Sequence, residues 1–423
     1  MSRPKNANRP CHVGVDLTLM IPRGGNGGIK PAIFTFLRSL GERFAEGIKF
    51  TLLTNSSTYQ EVEFLVRDQD RRICITPTDD CPWPAPQRTH PRLLVRHDFS
   101  PPMLRDFGVD VFYCPFGPTN RSHPDIPTVS MVTDLLHRDY PFSIPETERV
   151  WREGYFKDIL TDADYVQCIS QYTRDRLLEY YPLKESQVFF THLPIDQRLQ
   201  GARGTTPGRP YFIYPANFWI HKNHEVLLIA YRIYRRTVKE PWDLVLTGNP
   251  DRRADEIKDL AKRLTIDTST RFLGHLDENA FAQVFAGAGA LVYPSLHEGF
   301  GIPLVEAMRF RKPIICSRST SVPEVAGKAA LYVDGRKPSE LAAAMIKLTE
   351  NGALRSDLVM KGEERLKSFS ITREIDKLYQ VFTEAKVANS RTVRCARFLR
   401  RYRGWGHSML ARVAKRALSR LPP

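Results

Sequence analysis

The sequence predicts an α/β protein with two domains, each built on a parallel sheet. In both halves of the 423 residues, short apolar runs that fit buried strands alternate with amphipathic helical patterns. Between the halves, residues 198–209 (RLQGARGTTPGR) have no apolar periodicity and are rich in glycine, threonine and arginine, which is typical of a linker. We therefore expect a first domain over residues 1–200, a second over 201–386 and a basic tail over 387–423.

The composition is that of a globular protein, because 42% of the residues are hydrophobic and the chain is long enough to bury two cores. No run of eighteen apolar residues occurs, and MSRPKNANRP lacks the apolar segment of a secretory signal, so we expect a cytoplasmic location. The seven cysteines are scattered without a C-x-x-C pair, which predicts reduced core residues and no structural metal site.

The first half opens with a strand, a glycine loop and a helix. Cys11–Met20 fits a buried strand, the loop IPRGGNGGIK follows, and one helical face then carries Ile33, Phe34, Leu37 and Leu40. Such a unit can bring backbone amides close to a phosphate. The glycines do not follow the spacing G-x-G-x-x-G, so they are a weak signal for a dinucleotide-binding dehydrogenase.

Two polar residues, Asp134 and His137, follow the strand predicted at Thr128–Thr133. Two interpretations stay open for them. They contact a sugar at the carboxyl end of the strand, or Asp134 caps a helix and His137 is merely exposed. Further along, Ser170 fits the N-cap of a helix that ends near Tyr181.

The second half restarts with a strand at Tyr211–Pro215, and a helix begins near Asn223. His221 and Lys222 stand just before this helix. A lysine adds positive charge to a helix end that is already positive, which suits the binding of a diphosphate better than it suits stability.

The stretch Tyr293–Met308 (YPSLHEGFGIPLVEAM) joins a strand end, a glycine turn and a helix start. Gly299 and Gly301 permit a tight turn, and Pro303 suits a first helical turn because no amide donor is missed there. The free amides of the turn can then point outward at an anion, which predicts a phosphate site.

Two carboxylates flank this turn. Glu298 lies in the turn, and Glu306 projects from the helix eight residues later. Carboxylates at this spacing can accept hydrogen bonds from sugar hydroxyls, whereas two ordinary surface charges are the simpler alternative.

Two glutamates eight apart around a glycine-rich turn resemble the signature of the retaining glycosyltransferases of family 4, also called glycosyl transferases group 1, and in particular its mannosyltransferases. The stretch ANFWIHKNH resembles the phosphate-binding element of the same family, and the likeness spans roughly residues 12–385. It implies the GT-B fold, in which two Rossmann-like doubly wound domains face each other across a cleft. The first domain would then lie on the acceptor side, and the second would bind the nucleotide sugar.

The resemblance also implies roles for individual residues. Glu298 would contact the donor sugar, with His137 and Asp134 beside it as catalytic candidates, although the histidine that many relatives carry just before the aspartate is Thr133 here. The donor-binding residues implied are Gly27, Gly28, His221, Lys222, Asn223, Gly248, Leu273, Gly299, Phe300, Gly301, Ile302 and Glu306.

The activity implied is a retaining, metal-independent transfer of a hexose from a nucleoside diphosphate sugar, with no cofactor. The sequence ANFWIHKNH resembles that of family members that use GDP-mannose or a related deoxyhexose donor, which favours such a donor here. The acceptor would be a hydroxyl of a glycan or a lipid-linked acceptor in cell-surface polysaccharide synthesis. The alternatives are a sugar-nucleotide epimerase or phosphorylase on the same fold, and a non-enzymatic protein that binds anions or nucleic acid through its tail.

Much of the net charge of +15 is concentrated in residues 391–423, which contain many arginines and no acidic residue. Met409, Val413 and Leu421 share an apolar helical face, and Trp405 stands before it. A basic amphipathic helix of this kind can lie peripherally on an anionic membrane surface, while a solvated tail is the alternative. No aromatic–basic platform supports nucleic-acid binding.

Overall fold

The structure is a computed structural model, and it describes residues 9–22, 26–75, 102–194 and 209–401. The segment predicted as a linker and the domain boundary at 200/201 lie almost entirely outside the described residues, as does the tail beyond residue 401.

The first sheet has seven parallel strands in the order β3-β2-β1-β4-β5-β6-β7, which extends the Rossmann order. In the parallel pair of β1 and β2, the register runs from Cys11 beside Ile48 to Asp16 beside Leu53. All strands of this sheet except the two edge strands β3 and β7 bury most of their length, as parallel strands covered by helices must. Their bounds are β1 Cys11–Asp16, β2 Ile48–Thr54, β3 Arg71–Cys74, β4 Val111–Cys114, β5 Thr128–Val132, β6 Tyr165–Cys168 and β7 Val188–Phe190.

The second sheet repeats this topology with six parallel strands in the order β10-β9-β8-β11-β12-β13. In both sheets the order reverses between the first strand and the fourth, and ligands of open α/β sheets bind outside the carboxyl ends at that point. The bounds are β8 Tyr211–Pro215, β9 Asp243–Thr247, β10 Thr270–Phe272, β11 Ala290–Tyr293, β12 Ile314–Ser317 and β13 Ala330–Val333. These two sheets confirm the predicted GT-B class of two Rossmann-like domains.

Helices follow most of the strands. In the first half the α-helices are α1 Ile29–Arg43, α2 Pro102–Asp106, α3 Leu136–Asp139, α4 Glu146–Asp162 and α5 Gln171–Tyr180. In the second half they are α6 His224–Thr237, α7 Arg252–Arg263, α8 Glu278–Gly287, α9 Ile302–Arg309, α10 Val322–Ala326, α11 Pro338–Glu350, α12 Gly352–Leu366, α13 Ile371–Ala388 and α14 Arg391–Arg401. The four apolar residues predicted for one face of α1 are all buried.

The first strand ends earlier than predicted, at Asp16 instead of Met20. The carboxylate of Asp16 accepts hydrogen bonds from the amide of Thr18 at 3.0 Å and from its hydroxyl at 2.6 Å. This local turn competes with the strand ladder, and it directs the chain into the glycine loop.

Helix α13 returns from the second domain to the first. Asp376 of this helix pairs with Arg43 of the first domain at 2.5 Å. The ring of Tyr379 stacks on Phe44, with centroids 3.8 Å apart. Farther along the helix, Phe382 packs in the same core as the first strand. This helix of the second half thus crosses back to the first domain.

Helix α14, the described start of the basic tail, packs on the first domain. Arg397 is buried and donates from Nε to both carboxylate oxygens of Asp164, at 2.8 and 3.0 Å. Arg401 lies 3.2 Å from Asp162, which is also buried. These arginines therefore neutralise acidic residues of the same chain. No helix of the described residues is long and apolar enough to cross a membrane.

Candidate active site

The carboxyl edges of the two sheets meet at a pair of glycine turns. A Cβ placed on Gly28, at the start of α1, would lie 2.8 Å from Cδ1 of Ile302 in the second domain. A Cβ placed on Gly299 would lie 1.8 Å from the carbonyl oxygen of Thr133, just after β5. The glycine loop and the glutamate turn, predicted from separate parts of the sequence, are therefore in contact across the domain junction.

The glutamate turn has the geometry that its sequence predicts. Gly301 adopts φ +97, a left-handed conformation that favours glycine, and α9 begins at Ile302 with Pro303 in its first turn. Ser321 holds the turn from behind, because its hydroxyl donates to the carbonyls of Glu298 at 2.9 Å and Phe300 at 3.2 Å.

The amides that follow the turn are available to a ligand. Within the part of the chain that the structure describes, no acceptor pairs with the backbone N–H groups of Phe300, Gly301 and Ile302. At the start of a helix such groups bind anions, since their dipoles add to that of the helix.

Lys222 and Glu298 form an ion pair in the centre of this region. The ammonium Nζ of Lys222 donates to Oε1 of Glu298 over 2.7 Å. The two side chains are 12% and 9% exposed, so water screens their attraction weakly. Two residues that the sequence predicted to contact different parts of one donor thus contact each other.

Asn223 fixes the backbone beside Lys222. It adopts φ 62, and its side-chain amide donates to the carbonyls of Pro294 at 3.1 Å and Gly335 at 2.6 Å. These bonds tie the segment before α6 to the end of β11. The predicted donor contact of Asn223 stays a prediction, and its side-chain nitrogen is occupied by backbone carbonyls.

Glu306 is held differently from Glu298. No ion pair or hydrogen bond joins its carboxylate to any other described residue, and burial raises the pKa of Glu306 to about 7. Burial, with the charges of both carboxylates adding to it, raises the pKa of Tyr293, whose phenol also hydrogen-bonds to Glu298. A carboxylate that is poorly hydrated and lacks an internal donor is suited to accept hydrogen bonds from a ligand.

Three imidazoles and a carboxylate cluster beside the ion pair. His221 is buried, and its ring lies 6.5 Å from that of His297, edge to face. Burial, with the charge of Lys222 adding to it, lowers the pKa of His221 to about 2, so this ring is neutral at physiological pH. Burial likewise lowers the pKa of His224, to about 3. His297 contacts Asp139 of the first domain across 3.2 Å.

Asp134 faces this cluster from the first domain. Its carboxylate accepts from the amide of Leu136 at 2.9 Å and pairs with Arg152 at 2.8 Å. Burial by itself would raise the pKa of Asp134, but the positive charge of Arg152, the nearby His297 and the Leu136 amide together hold that pKa below its usual range. Asp134 therefore accepts from the first amide of the short helix α3, although the N-cap position is Leu135, and it lies near the histidines of the second domain.

His137 lies deeper in the first domain. Its ring contacts the hydroxyl of Tyr181 at 3.0 Å and packs on Phe156, with centroids 4.6 Å apart. Burial and the charge of Arg152 lower the pKa of His137 to about 4, so it is neutral at pH 7. It is not the exposed residue of the simpler interpretation, and its catalytic role stays a prediction.

The remaining predicted residues occupy loops at the carboxyl edges. Gly27 adopts φ +58 before α1. Gly248 is required for packing, because a Cβ there would lie 2.4 Å from the carbonyl oxygen of Ala216. Leu273 follows β10 and donates from its amide to Leu246 at 2.9 Å. Gly248 and Leu273 thus shape the edge on which a nucleotide would bind.

Sequence analysis missed a carboxylate that joins the domains. Glu324, in α10, accepts from the amides of Gln171 at 2.8 Å and Tyr172 at 2.9 Å at the start of α5. It also contacts His192 at 2.9 Å. Burial opposes ionisation, but these donors keep the pKa of Glu324 below its usual value. The turn SVPEVAG contained the residue, but no local pattern indicated its distant partners.

The four buried cysteines of the described residues are unpaired, as predicted. Burial raises the pKa of Cys11 to about 12, which is consistent with an unreactive thiol. Among the described residues, no three His, Cys, Asp or Glu side chains converge in a way that could hold a metal ion.

Comparison with known proteins agrees with this geometry. Residues 197–365, which include Lys222, Glu298 and Glu306, match the family model "Glycosyl transferases group 1". The O-antigen chain mannosyltransferase B of Escherichia coli is 27% identical over 248 residues, which are 54% of this chain and 64% of that protein. The O-antigen chain mannosyltransferase RfbU of Salmonella typhimurium is 24% identical over 217 residues, 50% of this chain and 59% of that protein. The chain thus spans less than two thirds of the length of these curated relatives.

Solved structures resemble a larger part of the chain. A glycosyltransferase from Rickettsia africae superposes with a TM-score of 0.68, 13% identity and coverage of 90% of this chain and 100% of that one. Anabaena HepE in complex with UDP and glucose gives a TM-score of 0.66, 14% identity and coverage of 89% and 100%. At such identities the likeness shows the fold alone.

The chain is therefore a GT-B protein with two Rossmann-like domains. Residues 197–365 match the glycosyl transferases group 1, and the sequence is similar to O-antigen mannosyltransferases.

Proposed function

We propose that the protein is a retaining glycosyltransferase that moves a hexose from a nucleoside diphosphate sugar to a hydroxyl of a glycan or a lipid-linked acceptor. One observation carries the proposal. A buried lysine, a carboxylate and open turn amides converge where the carboxyl edges of two Rossmann sheets meet, inside the region that matches the family.

In this reaction the bond between the anomeric carbon and the diphosphate oxygen breaks, and a bond forms between that carbon and the acceptor oxygen. Negative charge builds on the leaving diphosphate, and the acceptor hydroxyl would give up its proton to the departing diphosphate oxygen. The ammonium of Lys222 and the amides after Gly299 would stabilise the diphosphate charge, an electrostatic role for which they are oriented in advance. We expect this stabilisation to suffice without a metal ion.

Glu298 would orient the sugar, and Glu306 would bind the ribose hydroxyls. The second role is supported by the Glu306 carboxylate, which has no partner among the described residues and whose pKa burial raises to about 7. Donors from a ribose would lower the energy of its ionised form. For the first role, Glu298 lies at the strand end beside Lys222, where the sugar attached to a bound diphosphate would reach.

Mannose, or a related deoxyhexose, from a GDP-sugar is the donor that we favour. Both relatives described above are named O-antigen mannosyltransferases, which also supports a role in cell-surface polysaccharide synthesis. The stretch ANFWIHKNH, which contains Lys222 and resembles the phosphate-binding element of the family, also favours this donor.

For location, we propose a cytoplasmic protein that contacts an anionic membrane surface through residues 391–423. Arg397 and Arg401 are engaged by the first domain, so the contact would depend on the basic residues after position 401. Sedimentation with vesicles of phosphatidylglycerol, but not phosphatidylcholine, should occur at low salt and be lost when residues 402–423 are removed.

The function is tested by thermal unfolding of the full chain with GDP, UDP, GDP-mannose and UDP-glucose, in the presence of EDTA. A ligand that binds the native state must raise the melting temperature. We expect one base to stabilise the protein, and Lys222→Gln to reduce that stabilisation. The absence of any shift across the panel would contradict the proposal. With the donor base known, transfer of labelled sugar to membrane extracts identifies the acceptor class.

A further inference from the structure

The ion pair between Lys222 and Glu298 joins the ends of two neighbouring strands. Lys222 follows β8, Glu298 follows β11, and these strands pair in the sheet. The carboxylate and the ammonium are 2.7 Å apart and about nine-tenths shielded from water, with exposures of 9% and 12%. The two charges of such a buried pair attract each other strongly, and removal of either partner leaves the other charge poorly hydrated and uncompensated.

A bound diphosphate would compete for the same ammonium. Among the described residues, Lys222 is the only cation paired with the Glu298 carboxylate. If the phosphate approached without any rearrangement, two anions would face one buried lysine and repel each other. Donor binding would therefore have to open the pair and give Glu298 other hydrogen-bond donors.

We propose that the Lys222–Glu298 pair is exchanged for the donor, and that this exchange discriminates between a nucleoside diphosphate sugar and the bare nucleoside diphosphate. This inference rests on the proposed function. A complete donor replaces both halves of the pair, since its phosphate contacts Lys222 and its sugar hydroxyls donate to Glu298. The product nucleotide replaces one half and leaves the buried carboxylate without a cation, with the Tyr293 hydroxyl as its remaining side-chain partner among the described residues.

The exchange has a consequence for turnover. After the sugar has left, Glu298 would pair with Lys222 again, and this would weaken the binding of Lys222 to the diphosphate. The pair therefore makes the site selective for substrate over product, and it assists product release.

Isothermal titration of the full chain with GDP, GDP-mannose, UDP and UDP-glucose tests this exchange. In Glu298→Gln the competitor for Lys222 loses its charge, so we expect the bare diphosphate of the preferred base to bind about tenfold more tightly than to the wild type. The advantage of the nucleotide sugar over the bare nucleotide should shrink by a similar factor.

Glu306→Gln is the matched control, because it removes one negative charge from the same motif at a residue that has no lysine partner. It should not tighten binding of the bare nucleotide. In a Lys222→Gln background, Glu298→Gln should leave nucleotide affinity unchanged, since the effect acts through the lysine. Melting temperatures without ligand confirm that each variant is folded, and the double variant avoids an unpaired buried charge.

Equal changes in nucleotide affinity for Glu298→Gln and Glu306→Gln would show a general effect of charge, and they would overturn the proposed exchange. Weaker binding of the bare nucleotide to Glu298→Gln would overturn it as well. In both cases the wild type still binds nucleotides, so the proposed function survives. If no nucleotide binds the wild type, the proposed function fails and the exchange fails with it.

Discussion

Gly299 packs against the carbonyl oxygen of Thr133 so closely that a Cβ on the glycine would lie 1.8 Å from that oxygen. Gly299 belongs to the turn that carries Glu298, and Thr133 follows a strand of the other domain. The position of the candidate sugar-binding carboxylate is therefore set by both domains, because the turn can reach this position only without a side chain.

We expect Gly299→Ala to disturb this junction. The turn or the strand end must shift to admit a methyl group, at a cost of about 1–3 kcal/mol in the free energy of unfolding. A displacement of this size beside the reacting atoms should lower the transfer rate about a hundredfold. Gly154→Ala in α4 is the control, since a Cβ there would have no atom of another described side chain within 4 Å. Wild-type transfer by Gly299→Ala would contradict this account of the turn.

The carboxylate of Glu324 accepts hydrogen bonds from the first two amides of a helix of the other domain, whose N-cap is Ser170. Glu324→Gln should lower the free energy of unfolding by about 1–2 kcal/mol at pH 7, because the amides at the start of α5 lose a charged acceptor. The pKa of Glu324 is lowered in the fold, so its stabilisation is present above the unfolded pKa and is lost as pH falls through the folded pKa.

Urea unfolding at pH 7 and below pH 4 checks this prediction, since the gap between wild type and variant should close in acid. Glu340→Gln, at the exposed start of α11, is the control and should not alter the transition midpoint. A gap that persists unchanged in acid would show that the charge of Glu324 is not what stabilises the junction.

Glu306 should make nucleotide binding pH-dependent. Burial raises its pKa to about 7, and ribose hydroxyls bind the ionised carboxylate better than the neutral acid. Nucleotide affinity should then rise between pH 6 and pH 8, by up to about tenfold, with release of a proton on binding. Titration in buffers of different ionisation enthalpy measures that proton. Glu306→Gln should flatten the profile, and an unaltered profile would exclude this residue as its source.

The same raised pKa affects the stability of the free protein in the opposite direction. Glu306 is ionised more easily in the unfolded chain, so its contribution to stability is retained below the unfolded pKa and lost as pH rises through about 7. The difference in melting temperature between wild type and Glu306→Gln should therefore grow from pH 5 to pH 8. A constant difference would contradict this assignment.

Arg397 anchors the tail helix to the first domain. Its side chain is 1% exposed and is paired with Asp164, so Arg397→Ala should leave that carboxylate without its buried partner and cost about 3 kcal/mol. Arg252→Ala is a matched control, because Arg252 is 94% exposed and pairs with Glu256 within one helix, a contact worth at most about 0.5 kcal/mol. Equal destabilisation of the two variants would show that α14 is not an integral part of the domain.

Much of the fold could be predicted because its determinants are local. The buried parallel strand Tyr211–Pro215 is a continuous apolar run, and its observed bounds are those predicted from the sequence. Ser170 was expected to cap a helix, and its hydroxyl accepts from the amide of Thr173. The three-residue strand Val188–Phe190 was missed, because so short a run has no usable period.

The composition of the site was also predictable, whereas its internal contacts were not. Lys222 was expected just before a helix and Glu298 in the glycine turn, but the sequence separates them by 76 residues and does not indicate that they pair. The contact between Asp139 and His297 spans 158 residues, and neither residue had a local signal. The tail was read as a basic surface, yet Arg397 is buried against Asp164.

The sequence by itself determined the two parallel sheets, the glycine turn and the residue types that a phosphate and a sugar require. These features depend on periodicity and backbone conformation, which act over a few neighbouring residues. Tertiary structure decided which charges neutralise one another, as in the interdomain bonds of Glu324 and the pairing of Lys222 with Glu298. Electrostatic attraction between buried groups depends on distance and hydration, and chain folding sets both.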